Sequence, residues 1–132
     1  MEKRWKTSNT TVYNLSYHLI WCPKYRRSVL VNEVAERLRQ LLYEKAEKLN
    51  MNIDSLEILP DHVHLFIKSS PVDAPHFIVQ QLKGYSSRIL RQEFPHLRSR
   101  IPSLWTRSYY VESIGHISAS TIKQYIRDQK NQ

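Results

Sequence analysis

The run Asp61-His62-Val63-His64 puts two imidazoles one residue apart, and it continues as Leu65-Phe66-Ile67. Its alternation is that of a β-strand, whose successive side chains point to opposite faces. His62, His64 and Phe66 then share one face, with Val63, Leu65 and Ile67 on the other. Same-face neighbours stand about 7 Å apart along a strand, so both rings can converge on one metal ion. Imidazole suits several metals, and the same spacing also fits a half-buried strand with two hydrogen-bonded histidines. Pro60-Asp61 is a turn signal, so the pair stands at the strand's beginning. Asp61, next in chain, can orient His62 or serve the turn alone.

A second candidate lies near the end of the chain, in Ser120-Thr121-Ile122-Lys123-Gln124-Tyr125-Ile126-Arg127-Asp128-Gln129. On a helix Tyr125 and Gln129 are i and i+4 and stack on one face. Ile122 and Ile126 lie close beside them, so the stripe is mixed, and Tyr125 packed against the isoleucines is the alternative. His18, His76, His96 and His116 show no metal spacing and read as structural or exposed. Cys22 is alone, which excludes a disulfide framework and a cysteine zinc site.

The charge narrows the partner. Twenty Lys and Arg against 12 Asp and Glu give a net +8 over 132 residues. The excess is clustered. One cluster holds Lys3, Arg4, Lys6, Lys24, Arg26 and Arg27; the other holds Lys83, Arg88, Arg91, Arg98, Arg100 and Arg107. Such clustering favours nucleic acid over small metabolites, against the alternative of a solvated basic surface. Residues 1–132 read as one domain, long enough for a core without disulfides. No apolar run approaches the roughly 20 residues of a membrane span, and no signal peptide is evident. A cytoplasmic protein is expected.

The elements that would position these residues follow from pattern. Residues 1–11 read as a loose arm. Val12 to Trp21 is β-branched and aromatic and stops at Pro23. Asn32 can cap a helix carrying Val34, Leu38, Leu41, Leu42 and Leu49. A strand from about Asn52 to Leu59 precedes the histidine strand, making a hairpin. Asp73-Ala74-Pro75 starts a second helix, with Ile78, Leu82, Tyr85 and Ile89 as its apolar stripe. Gly84 within it suggests a close backbone approach or an idle glycine. Pro95 and Pro102 bracket a loop, Trp105 to Val111 reads as a strand, and residues 118–130 as a final helix carrying Tyr125. The order is βαββαβ plus one helix, an α+β, ferredoxin-like sandwich. Fold alone does not fix function.

In this order the chain carries Asp-His-Val-His, Leu82-Lys83-Gly84-Tyr85-Ser86-Ser87-Arg88, Leu104-Trp105, Tyr109-Tyr110-Val111, Ser113-Ile114-Gly115 and Tyr125-x-x-x-Gln129. From about Tyr13 to Gln129 it closely resembles the single-tyrosine HUH transposases of the insertion sequence 200/605 family. Relatives often have a second glycine where His116 stands. The resemblance implies that His62, His64 and Gln129 hold a divalent ion, Mg²⁺ or Mn²⁺, and that Tyr125 is the nucleophile. It implies cleavage through a 5′-phosphotyrosine, with single-stranded DNA bearing hairpins at transposon ends as substrate. No nucleotide cofactor is needed, in keeping with the lack of a phosphate-binding glycine-rich loop. It further implies a homodimer whose tyrosine helices can complete each other's sites. Phosphate contacts are expected from Lys3, Arg4, Lys6, Lys24, Arg26, Arg27, Lys83, Arg88 and Arg91. Trp5, Tyr25 and Trp105 are candidates for base stacking or for the core.

Three other readings compete. A non-catalytic ferredoxin-like module for single-stranded nucleic acid explains charge, aromatics and fold, but not the His62, His64, Tyr125 and Gln129 set. A domesticated relative would use the same chemistry on repeat hairpins. A metal-dependent hydrolase would use water, with Tyr125 structural.

Overall fold

A computed structural model of the chain describes residues 6–7, 12–13, 15–69, 72–114 and 126–127. Strands β1 (Lys6–Thr7) and β2 (Val12–Tyr13) pair with each other, so two residues of the expected loose arm are in a small antiparallel ladder. The expected strand from Val12 to Trp21 is therefore in two pieces, the second being β3 (Leu15–Trp21). Helix α1 (Asn32–Lys48), β4 (Asn52–Leu59), β5 (His62–Ser69), α2 (Pro75–Glu93), the short α3 (His96–Ser99) and β6 (Tyr110–Ile114) follow.

β3 to β6 form one antiparallel sheet in the order β4-β5-β3-β6. With α1 and α2 as the crossovers, this is the ferredoxin-like arrangement read from the sequence. One hydrophobic core fills the space between α1, α2 and one face of the sheet. Its sheet side is Leu19 and Trp21 of β3 with Val63, Leu65 and Ile67 of β5, and its helix side includes Leu38, Leu41, Leu42, Ile78, Leu82 and Leu90. Val63, Leu65 and Ile67 are fully buried, each worth about 1.5–3 kcal/mol. A slip of one residue in β5 would turn all three to the other face, so their burial also fixes where the histidines point.

Local chemistry explains several boundaries. Helix α1 has Val31 at its cap without a side-chain bond, and Asn32, expected to cap, is the first residue of the helix. Asn32 has φ 52°, a left-handed backbone that asparagine tolerates better than most residues. Helix α2 opens with Pro75 after Ala74, where a missing N–H costs nothing. Gly84 has nothing within 4 Å of where a Cβ would stand, so no close approach within the described fold explains it. The loop between Pro95 and Pro102 contains α3. The last described strand begins at Tyr110 rather than Trp105, which makes only an isolated antiparallel bridge to Pro23 and is buried in the core. Its ring meets Trp21 edge-on at 6.0 Å, and its Nε1–H donates to Ser86 Oγ at 3.2 Å. Of the expected terminal helix only Ile126 and Arg127 are described, and both are helical.

Candidate functional site

The site forms on the sheet face away from the helices. Pro60 and Asp61 make a two-residue turn between Leu59 and His62, which are paired across β4 and β5. The β5 alternation then sends His62, His64 and Phe66 outward while Val63, Leu65 and Ile67 are buried. The His62 and His64 ring centroids are 4.9 Å apart at an interplanar angle of 68°. They share one face and one neighbourhood, as the His-x-His spacing implies.

Each ring is held through its Nδ1. His62 Nδ1 donates to Asp61 Oδ1 at 2.7 Å, and Asp61 Oδ2 accepts from Arg26 Nη2 at 3.0 Å. The hydrogen bond from His62, joined by Arg26, holds the Asp61 carboxyl below its ordinary range. His64 Nδ1 lies 3.1 Å from His18 Nε2. Burial depresses the His64 pKa, positive charge on His62 and His18 acts the same way, and Glu57, its cross-strand partner, opposes them. A neutral imidazole is the form that binds metal. With both Nδ1 atoms engaged, Nε2 is the other nitrogen of each ring, able to take an ion where it carries no proton. The donors therefore fit a divalent cation, with His62 and His64 as a partial set. Among the described residues no group of three or more His, Cys, Asp or Glu side chains is placed to hold one.

His18 is the residue that sequence reasoning missed. Nothing in its spacing marks it, but alternation along β3 offers a signal: Leu19 and Trp21 are buried, so His18 faces the histidine side. Pairing of β3 with β5 sets it opposite Phe66, on whose ring it stacks at 4.2 Å and 6°.

The basic candidates separate by what they touch. Lys24, Arg26 and Arg27 lie in and just after the 3₁₀ turn Lys24–Arg26, which follows β3. Tyr25 in that turn is 66% exposed, with φ 60°, and Arg26 follows with φ 50°. Non-glycine residues seldom adopt that backbone, and such strain is often found at functional sites. The turn is anchored by Lys24 N–H to the Leu104 carbonyl, and the following loop by Leu30 N–H to the Pro60 carbonyl, so it stands beside the histidine hairpin. Arg26 supports Asp61 as well as being exposed.

Lys83 and Arg91 hold the 97–108 segment onto α2. Lys83 Nζ donates to the Thr106 and Ser108 carbonyls, and burial lowers its pKa. Arg91 Nη1 donates to the Leu97 and Ile101 carbonyls, each at 3.2 Å. Arg88 is exposed and lies over the Tyr85 ring at 5.8 Å, beside Lys45 and Lys48 at 5.2 and 4.9 Å. Tyr125, Gln129, Lys3, Arg4 and Trp5 lie outside the described residues, as does the side chain of Lys6.

Known proteins match this chain over almost its whole length. The family model "Transposase IS200 like" matches residues 11–129. The ISDra2 transposase TnpA of Deinococcus radiodurans is 38% identical over 120 residues, covering 89% of this chain and 86% of the relative. The transposase for insertion sequence element IS200 of Salmonella typhimurium is 31% identical over 121 residues, covering 90% and 79%. A crystal structure of a putative transposase from Deinococcus radiodurans superposes with a TM-score of 0.78 at 39% identity, covering 94% of this chain and 97% of that one. A REP-associated tyrosine transposase bound to a REP hairpin shares the fold, with a TM-score of 0.55 at 13% identity over 92% and 67% of the two chains. On the family match and these identities, the chain belongs to the IS200-like transposases, the insertion sequence 200/605 family whose motifs it carries.

Proposed function

We propose that this transposase is metal-dependent, and that it cleaves and rejoins single-stranded DNA at hairpin-marked element ends through a 5′-phosphotyrosine link. The observation that carries the reading is the His62–His64 pair, set on one sheet face with both Nδ1 atoms already engaged. That arrangement leaves Nε2 as each ring's nitrogen for an ion. Gln129 is the proposed third ligand and Mg²⁺ or Mn²⁺ the proposed metal, since imidazoles with an amide oxygen leave an octahedral ion open to phosphate oxygens. When bound, the ion would polarise the scissile phosphate and stabilise charge on the leaving 3′ oxygen.

Tyr125 is the proposed nucleophile. Its Oη attacks phosphorus, the bond to the 3′ oxygen breaks, the phenol loses its proton and the 3′ oxygen gains one. Energy of the phosphodiester is kept in the phosphotyrosine, so a second strand's 3′-OH can reverse the step without a nucleotide cofactor. The net charge of +8 suits a polyanionic partner. Lys24, Arg27 and exposed Tyr25, on the turn beside the histidine hairpin, are proposed to contact strand backbone and base.

The test is incubation with Mg²⁺ and single-stranded DNA carrying the hairpins that flank the gene, followed by a denaturing protein gel. A covalent protein–DNA adduct is expected for the native chain. Tyr125→Phe loses adduct and cleavage but keeps hairpin binding in a mobility shift, because only a hydroxyl is removed. Cleavage by Tyr125→Phe at near-native rate would hand the attack to water or to another tyrosine.

A further inference from the structure

Three side chains from neighbouring strands form a cross-sheet row beside the histidine pair. Glu112 of β6 pairs with His18 of β3, and His18 pairs with Phe66 of β5, two residues along from His64. The His18 ring is fixed on both sides, stacked on Phe66 at 4.2 Å and meeting Tyr110 edge-on at 6.0 Å and 72°. Its Nε2 points at His64 Nδ1 over 3.1 Å, and its Nδ1 faces Glu112 Oε2 at 3.9 Å.

We propose that His18 is a positioning residue for His64, presenting a bare Nε2 to the Nδ1–H of His64 so that the His64 Nε2 keeps its lone pair. A hydrogen bond between two neutral imidazoles needs one donor and one acceptor, so only two tautomer pairs are available. In one, His18 Nε2–H donates and His64 carries its proton on Nε2, where it cannot ligate. In the other, His18 is protonated on Nδ1 and accepts from His64. The Glu112 carboxylate decides between them, because a negative charge facing His18 Nδ1 favours the proton there. At 3.9 Å the two are coupled electrostatically or through a bridging water.

The partner ligand is arranged by the same logic with one link fewer. Asp61 takes the His62 Nδ1–H directly at 2.7 Å. Each histidine of the pair is thus referred back to a carboxylate, one in contact and one through an intervening ring. Partners of this kind fix ring orientation and tautomer at metal sites, and losing one typically costs 10- to 100-fold in metal affinity. The inference deepens the metal reading proposed above and rests on it for its purpose. The tautomer itself is decided without any metal.

Long-range ¹H–¹⁵N correlation spectra of the metal-free protein, labelled at histidine, read the tautomer of His64 directly. The native chain is expected to show His64 protonated on Nδ1 and bare on Nε2. His18→Phe keeps an aromatic ring to stack on Phe66 but accepts no hydrogen bond, so His64 should move towards the Nε2–H form. Titration calorimetry of the same variant with Mn²⁺ should show affinity roughly 10- to 100-fold weaker. His18→Gln, whose amide oxygen can accept from His64, should recover part of both signals. A merely structural role would give no such recovery. A native His64 protonated on Nε2 overturns the proposal. So does a His18→Phe protein with unchanged tautomer and unchanged Mn²⁺ affinity. A native protein with a bare His64 Nε2 that binds no Mn²⁺ overturns the metal reading while upholding the hold of His18 on His64.

Discussion

His62 and His64 reach the same face through one strand's alternation, but the two are held differently. His62 leans on Asp61 at the rim, and that carboxylate is tied in turn to Arg26. His64 lies further along β5, where burial depresses its pKa and His18 holds its Nδ1. Both side chains project away from the core that Val63 and Leu65 fill. His62→Ala and His64→Ala are therefore expected to fold, with melting temperatures close to the native value. Each should abolish cleavage together with its dependence on divalent metal. Gln129→Ala should be milder, since water can replace one amide ligand on an octahedral ion. Cleavage assays across a Mg²⁺ and Mn²⁺ series check this. Normal cleavage by either histidine variant in Mg²⁺ would show that the pair is structural.

Ser86, one turn beyond Leu82 on α2, joins two elements. It is fully buried, donates to the Leu82 carbonyl at 2.7 Å and accepts from Trp105 Nε1 at 3.2 Å. Ser86→Ala strands a buried N–H and should cost about 1–3 kcal/mol by denaturant unfolding. In a Trp105→Phe background the same change should cost much less, and equal costs would show the contact idle. Helices α1 and α2 are clamped by Arg37 Nε to Glu93 Oε1 at 2.8 Å and Arg37 Nη2 to Glu93 Oε2 at 3.0 Å. The hydrogen bond from Arg37 holds the Glu93 pKa below its ordinary value. Its stabilising contribution is then present above the ordinary carboxylate range and is lost as pH falls through the depressed value. Glu93→Gln should lower the melting temperature at neutral pH, with the gap to the native chain closing in acid. A pH-independent gap would assign the effect to packing.

These two elements also show what the sequence could reveal. The β5 alternation, the hairpin turn and the α2 stripe were legible because each is a local periodicity with one buried face. Trp105 reads as part of a strand because aromatic runs look alike whether they sit in a ladder or in a loop. Its partners Trp21 and Ser86 are far away in sequence. His18 escaped for the same reason: it meets His64 across 46 positions of chain, through a strand register that no local pattern encodes.

At the scale of the whole molecule the open question is whose tyrosine serves which histidines. In the described sheet β6 is an edge strand, with Tyr110 and Val111 exposed, so its outer backbone can pair with a second copy. Register places Ile114 opposite Ser16, whereas His64 lies opposite Ile20. The chain thus leaves β6 about four residues, or ~13 Å, along the strands from the histidines. From there Gly115 can adopt backbone angles that other residues avoid. The terminal helix expected from the sequence, about ten residues long, would be marginal unless docked, on its own sheet or on a neighbour. We predict a two-fold dimer with two composite sites, the tyrosine of each subunit completing the histidine pair of the other. Mixing Tyr125→Phe with a His62→Ala, His64→Ala protein under subunit exchange tests it. Shared sites leave the heterodimer one intact centre, and cleavage returns although each parent is inactive. If demonstrated heterodimers stay inactive, each subunit cuts with its own tyrosine.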